Sequence, residues 1–207
     1  MYLTDVENEI KFNNDSLFNQ AVFLLKSTLG KKTYETVEHA ARMENLVIKF
    51  SRYLNLSKPK ETELRFLARL HDIGKIAIPD SILNKPTQLT QKEYEIIKSH
   101  SEIGYNIVKK IPFLDNVAKG ILHHHERWDG KGYPFGLAGD NIPFIARVIT
   151  IVDSYDVMTH TRAYKTAMGS LEAIQEIYDQ TGQQFDPHLS KVFIKLITNE
   201  SNIKKAI

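Results

Sequence analysis

His123-His124-His125-Glu126-Arg127-Trp128-Asp129-Gly130-Lys131-Gly132-Tyr133-Pro134 is the stretch whose reading decides the fold. Three adjacent histidines close an apolar run, and a loop dense in glycine, charge and aromatics follows at once. Imidazole is the commonest protein metal ligand, and a loop of this kind beside it can shape a substrate pocket. The bland alternative is a surface loop next to histidines that happen to be adjacent. What separates the two is whether the rest of the chain supplies further ligands.

Upstream, Asp115 or Asn116 caps a short helix that carries Val117, Ile121 and Leu122 inward. His124 lies three residues from Ile121, and His125 three from Leu122, so both turn towards the buried side and His123 more outward. Thr90-Gln91-Lys92-Glu93 is a capping box. The helix it opens places Tyr94, Ile97 and His100 on one face. Ile103, Ile107 and Ile111 continue the pattern to Pro112, and periodicity leaves open whether the helix breaks at His100-Ser101. Before it, Ile76 to Leu89 reads as a loop with Pro79 and Pro86. A helix from Pro59 to Ile73 buries Leu64, Leu67 and Ala68 and puts His71 on that face. Asp72 follows, and Gly74 suits the helix C-terminus. A His-Asp pair on an inner face is costly without partners.

Nearer the start, Thr33 caps a helix reaching Leu54, with Ala40, Met43, Val47, Phe50 and Leu54 as its apolar stripe. Glu35 and His39 are four apart on one face. A helix from Ser16 to Gly30, with Phe18, Val22, Leu25 and Leu29 in line, suits packing or a homodimer contact. Downstream, Glu126 to Asn141 is a long loop. Pro143 opens a helix in which Phe144 to Val152 is almost continuously apolar, hence central and buried. Asp153 sits in that run and needs a partner. The segment His160 to Lys165 is basic and aromatic. Ser170 caps a helix to Gln180, and a last one begins near Pro187 with Leu189, Phe193, Leu196 and Ile197 inward. No alternation long enough for a strand appears.

The whole chain narrows the classes. At 207 residues, 42% hydrophobic and 25% charged, it suits one ordinary globular domain. The formal charge of +2, from 27 basic and 25 acidic residues, gives no electrostatic case for a nucleic acid polymer or an anionic membrane. There is no cysteine, so thiolate metal sites, disulfides and cysteine nucleophiles are excluded. No apolar run approaches the roughly 18 residues that span a bilayer, and Met1 to Asn14 lacks a signal-peptide pattern. A cytoplasmic location without membrane insertion is expected.

The inward polar residues are Glu35, His39, His71, Asp72, His100, His124, His125 and Asp153. Imidazole mixed with carboxylate makes one coherent set, the ligands of two or three divalent ions, with iron, manganese or zinc as the suitable metals. Asp72 has two oxygens with which to bridge. Such a pair of ions clamps a hydroxide and a phosphoryl oxygen, and Lys75, Arg162 and Lys165 would neutralise further phosphate charge.

His71-Asp72-Ile73-Gly74-Lys75 looks like the signature of the HD phosphohydrolase superfamily, and with His124 to Pro134 the chain resembles the HD-GYP family over residues 33 to 197. The resemblance implies an all-α fold, a single HD-type domain of about seven or eight helices around a buried metal centre. The expected division is an arm and helix over 1–30, the catalytic domain over 31–200 and a tail over 201–207. By position, His39, His71, Asp72 and Asp153 match the basic HD metal set. His100, His124 and His125 match the additional HD-GYP ligands, and Glu35 the glutamate that accompanies a third metal. Lys75 matches a lysine at the scissile phosphate, and Tyr133, Arg162 and Lys165 match substrate-contacting positions. Iron or manganese is the expected metal, with zinc as the alternative. The implied activity is hydrolysis of cyclic di-GMP to pGpG, and onward to GMP, by a metal-bridging hydroxide attacking phosphorus. Another cyclic dinucleotide such as 3′,3′-cGAMP, a nucleoside phosphate, or a receptor without turnover are the alternatives. The loop holding Tyr133 is a candidate contact for a signalling-protein partner. Gln184-Phe185-Asp186-Pro187 matches a C-terminal motif of structural character. Ser101 stands where the family has proline, and Thr161 and Ala163 replace its aspartate and proline around Arg162.

Overall fold

The computed structural model describes residues 37–161 and 166–200. The expected arm, the Ser16–Gly30 helix with its dimer contact, the Thr33 cap and the 201–207 tail lie outside the described residues. Within them the elements are α1 (Val37–Tyr53), α2 (Lys58–Leu70), a 3-10 turn (Ile73–Ala77), α3 (Asp80–Leu83), α4 (Gln91–Lys98), α5 (His100–Val108), α6 (Asp115–His123), a 3-10 turn (Gly139–Asn141), α7 (Phe144–Thr159), α8 (Ser170–Asp179) and α9 (Pro187–Glu200). Among the described residues there is no strand, only two isolated bridges, Asp129 with Ala138 and Thr181 with Phe185.

The stripe on α1 buries Met43, Val47 and Phe50 against Leu64, Leu67 and Leu70 of α2. The apolar run of α7 makes it the central helix. Ile145, Ala146, Val148, Ile149, Ile151 and Val152 are all buried, and α1, α2, α6, α8 and α9 pack around it. Phe193 of α9 closes the core edge-on against Phe50 and Tyr155, with ring centroids 5.0 and 5.4 Å apart. Asp186 accepts from the backbone N–H groups of His188 and Leu189 and so caps α9.

Several boundaries differ from the sequence reading for local reasons. The α2 helix stops at Leu70, and Asp72 leaves helical geometry at φ −99° and ψ 10°. The segment read as a loop from Ile76 contains the end of a 3-10 turn and the one-turn α3, which starts behind Pro79. The Thr90 capping box forms, but the helix breaks one residue earlier than the position left open. The Ser99 hydroxyl donates to the Ile96 carbonyl at 2.6 Å, competing with the backbone ladder, and α5 begins at His100. Leu114, not Asp115 or Asn116, takes the cap position of α6, and Asn116 instead donates to Glu63. Gly169 takes the cap position of α8, where Ser170 was expected.

Candidate metal centre

Four helices and their ends bring the inward histidines together. His39 comes from α1, His71 from the C-terminal end of α2, His100 from the first residue of α5, and His124 and His125 from the end of α6. Asp72 precedes the 3-10 turn, and Asp153 projects from α7. The central helix also holds the triple histidine from behind, since Thr150 donates to the His124 carbonyl at 2.8 Å.

The ligand atoms fall into two groups, each within 4.8 Å: Asp72, His100, His124 and His125, and His39, His71 and Asp153. Asp72 joins them. Its Oδ1 lies 3.2 Å from His100 Nε2 and 3.9 Å from His124 Nε2, while Oδ2 lies 3.1 Å from His71 Nε2. Lys75 Nζ donates to Oδ2 at 2.7 Å. In the other group, Asp153 Oδ1 lies 3.5 Å from His39 Nε2 and 4.0 Å from His71 Nε2.

The outer nitrogens fix the inner ones. Nδ1 of His71, His100 and His124 each meets the carbonyl three residues upstream, on Ala68, Ile97 and Ile121, at 3.3, 2.7 and 2.6 Å. A carbonyl only accepts, so each Nδ1 donates and each Nε2 presents a lone pair to the centre. His39 Nδ1 donates to Asp156 Oδ2 at 2.6 Å. In their neutral forms His100 Nε2 and His124 Nε2 would therefore face each other at 3.3 Å, lone pair to lone pair. Two acceptors in that relation have no hydrogen bond to share, whereas a cation satisfies both. Imidazole nitrogen and carboxylate oxygen without thiolate fit a divalent ion of the iron, manganese and zinc group.

Protonation agrees. Burial holds His124 far below the usual imidazole range, with His125 and His71 adding to the effect. Burial, then His100, pushes His125 down to about 3. Burial would raise Asp72, but Lys75 and His71 outweigh it and hold the carboxyl well below the usual range. Neutral imidazoles at His124 and His125 beside an ionised Asp72 are the state a metal requires.

The sequence reading placed two residues differently. Asp153, expected buried, is 25% exposed because it opens into a cavity beside the centre. His123, expected outward, is 12% exposed, packed near Glu126 and the Phe135 ring. Glu35, Arg162 and Lys165 lie outside the described residues. The cavity, of about 220 Å³, is lined by His125, Tyr133, Asp153, Tyr94, Lys131 and Gln184 among others. Tyr133 stacks on His125 with centroids 4.7 Å apart, and burial, then Tyr94, raises its hydroxyl far above the usual range. It therefore stays a proton donor at neutral pH.

Two carboxylates escaped the sequence reading. Asp156, one turn beyond Asp153, takes Arg42 Nε and Nη2 at 2.7 and 2.9 Å besides His39. Burial opposes its ionisation, but the His39 and Arg42 hydrogen bonds bring it down to about 2. The spacing was available as a signal: Arg42 lies three residues after His39, as Asp156 does after Asp153. Glu126, whose side chain is fully buried, accepts from the Phe135 and Leu137 N–H groups at 2.8 and 3.0 Å. It thereby folds the Tyr133 loop back on the histidines, where Tyr133 N donates to the His125 carbonyl at 3.2 Å.

Residues 24–189 match the family model described as an HD domain. A cyclic di-GMP phosphodiesterase of Thermotoga maritima is 42% identical over 184 residues, which are 88% of this chain and 50% of that protein. The 3′3′-cGAMP-specific phosphodiesterase 2 of Vibrio cholerae is 34% identical over 178 residues, 85% of this chain and 34% of that one. Among solved structures, a cyclic GMP-AMP-specific phosphodiesterase from V. cholerae superposes with a TM-score of 0.67 at 23% identity, covering 89% of this chain and 49% of the other. The chain spans half or less of the length of these three relatives.

Proposed function

The chain belongs to the HD domain family, and we propose that it is a metal-dependent phosphodiesterase of the HD-GYP type that opens cyclic di-GMP to pGpG and carries it on to GMP. The observation that carries this reading is Asp72, ionised and buried, with one oxygen on each of two histidine groups. In this reading His100, His124 and His125 would hold one ion and His39, His71 and Asp153 a second, with Asp72 available to both. A third would draw on Glu35. Iron or manganese is the proposed occupant, with zinc as the alternative.

Divalent ions there would supply Lewis acidity towards a phosphoryl oxygen and lower the pKa of water. The chain's own residues do the rest. Asp72 and the neutral imidazoles keep the centre anionic enough to attract cations. Lys75, on the Asp72 side, offsets the phosphate's charge. Tyr133 offers a hydroxyl donor and a ring wall, and Arg162 and Lys165, matched by sequence position only, would add positive charge. Water adds to phosphorus and gives up a proton, the bond to the 3′-oxygen breaks, and that oxygen takes up a proton to leave as the 3′-hydroxyl.

Metal-loaded protein incubated with cyclic di-GMP should yield linear dinucleotide on chromatography. No product with iron, manganese or zinc loaded would refute the reading. A second substrate, 3′,3′-cGAMP, is brought in by the cGAMP-specific relative, and Thr161 and Ala163, which depart from the family pattern around Arg162, are the sequence reason to try it. Competition between the two nucleotides separates them.

A further inference from the structure

The cavity and its proposed substrate differ in size. About 220 Å³ beside the histidines is less than the ~300 Å³ at which pockets begin to enclose a whole ligand. A cyclic dinucleotide has two bases and two phosphates. With one phosphate at the metal centre, much of the rest must lie across the mouth, and the mouth must then offer a surface suited to a purine.

Helix α4 supplies one. It contains no buried residue, so the ring of its Tyr94 is not spent on the core. The helix is instead held at its start. Glu93 accepts from the Thr90 N–H and from Lys85 Nζ, each at 2.7 Å, and the Thr90 hydroxyl accepts from the Glu93 N–H. Tyr94 is 44% exposed and lines the same cavity as His125, Tyr133 and Asp153. Lys98 Nζ lies 4.9 Å from the centre of the Tyr94 ring and 5.6 Å from that of Tyr133. One ammonium thus ties two rings that stand at the same opening. Its charge is partly met by Glu95 Oε1 at 2.9 Å.

Resting on the phosphodiesterase reading, we propose that Tyr94 is a base-stacking platform, set across the Lys98 ammonium from Tyr133, and that it binds one nucleobase of the cyclic dinucleotide. Tyr133 serves the reacting phosphate and Tyr94 serves a base, with Lys98 fixing their spacing. Stacking of a base on an aromatic side chain tolerates any base, so this platform contributes affinity for cyclic dinucleotides as a class, and discrimination among them falls to other contacts.

The test compares kcat and KM of the metal-loaded full chain on cyclic di-GMP for wild type, Tyr94→Ala, Tyr94→Phe and Ile96→Ala. Losing a base stack should raise KM about five- to hundredfold in Tyr94→Ala, with kcat changing far less. Tyr94→Phe keeps the ring and should stay near wild type. Ile96→Ala, on the same helix but outside the cavity, should also match wild type. A Tyr94→Ala KM within twofold of wild type overturns the platform while leaving the phosphodiesterase reading intact. So does equal damage from Tyr94→Phe, which would assign the effect to the hydroxyl. If wild type binds cyclic di-GMP without cleaving it, the same comparison is read in Kd by calorimetry. Wild type that neither binds nor cleaves overturns both readings.

Discussion

Gly74→Ala should take the site apart without touching a ligand. A Cβ at this position would stand 1.9 Å from the His100 carbonyl oxygen and 2.6 Å from the Gly104 nitrogen. Both are backbone atoms of α5, so no rotamer change relieves the clash. Ordinary contact begins near ~3.5 Å, so the 3-10 turn and α5 must separate by more than about 1 Å. The turn follows Asp72 and contains Lys75, while α5 starts with His100. The separation therefore lengthens the 3.2 Å approach of Asp72 to His100. Overpacking costs about 1–3 kcal/mol where side chains can yield. Backbone on both sides puts this case at about 3 kcal/mol or above. At about 2–4 °C per kcal/mol for a domain of this size, Tm should fall by about 6–12 °C. Calorimetry reads that fall, and elemental analysis should find less metal on the purified variant. A Tm within about 2 °C of wild type together with full metal content would refute the close-approach argument.

Three further outcomes follow from the same geometry. Asp156→Ala strands His39 and Arg42, and since Arg42 is 32% exposed and can rehydrate, the cost should be about 2–3 kcal/mol instead of the full value for a broken buried pair. Metal affinity, read by chelator competition, should drop about 10–100-fold, and an unchanged affinity would count against Asp156 as the orienter of His39. Chelation of the loaded protein should lower its Tm by several degrees and added manganese should restore it, because ions at ~100 times their Kd stabilise by about 2.7 kcal/mol; a Tm indifferent to chelator contradicts a metal centre. Glu93, brought from 4.5 to about 2 by Lys85 and then Thr90, has a depressed folded pKa, so its support of α4 is present above pH 4.5 and lost as pH falls towards 2. An NMR titration of the Glu93 carboxyl with a midpoint near 4.5 would disprove that support.

The histidines were legible because each shares a helical face with apolar neighbours, and three-residue spacing is enough to turn His71, His100, His124 and His125 inward. Gly74 was legible only as a glycine. Its spacing after the helix suggested a stop signal, but what requires it is the approach of α5, a neighbour that local sequence does not name. Asp156 illustrates the same limit. An aspartate one turn from a candidate ligand looks like a solvated face until α1 brings Arg42 and His39 against it from more than 100 positions away. The partners of Glu126 are backbone N–H groups, which carry no residue signature at all. The break at Ser99 is local chemistry, yet it moves the helix boundary by a single residue, finer than periodicity resolves.

His71, His100 and His124 are each both proposed ligand and helix terminator. Their outer nitrogens occupy carbonyls in the last turns of α2, α4 and α6, groups that a helix end otherwise leaves unsatisfied. An alanine at any of them deletes a donor to the ion and frays a helix in one stroke, so the familiar knockout confounds chemistry with folding. Asparagine separates the two, since its amide N–H can reach where Nδ1 stood while nothing replaces Nε2. For the same reason a lineage abandoning metal could not simply let these histidines drift: it would have to repair three helix ends as well.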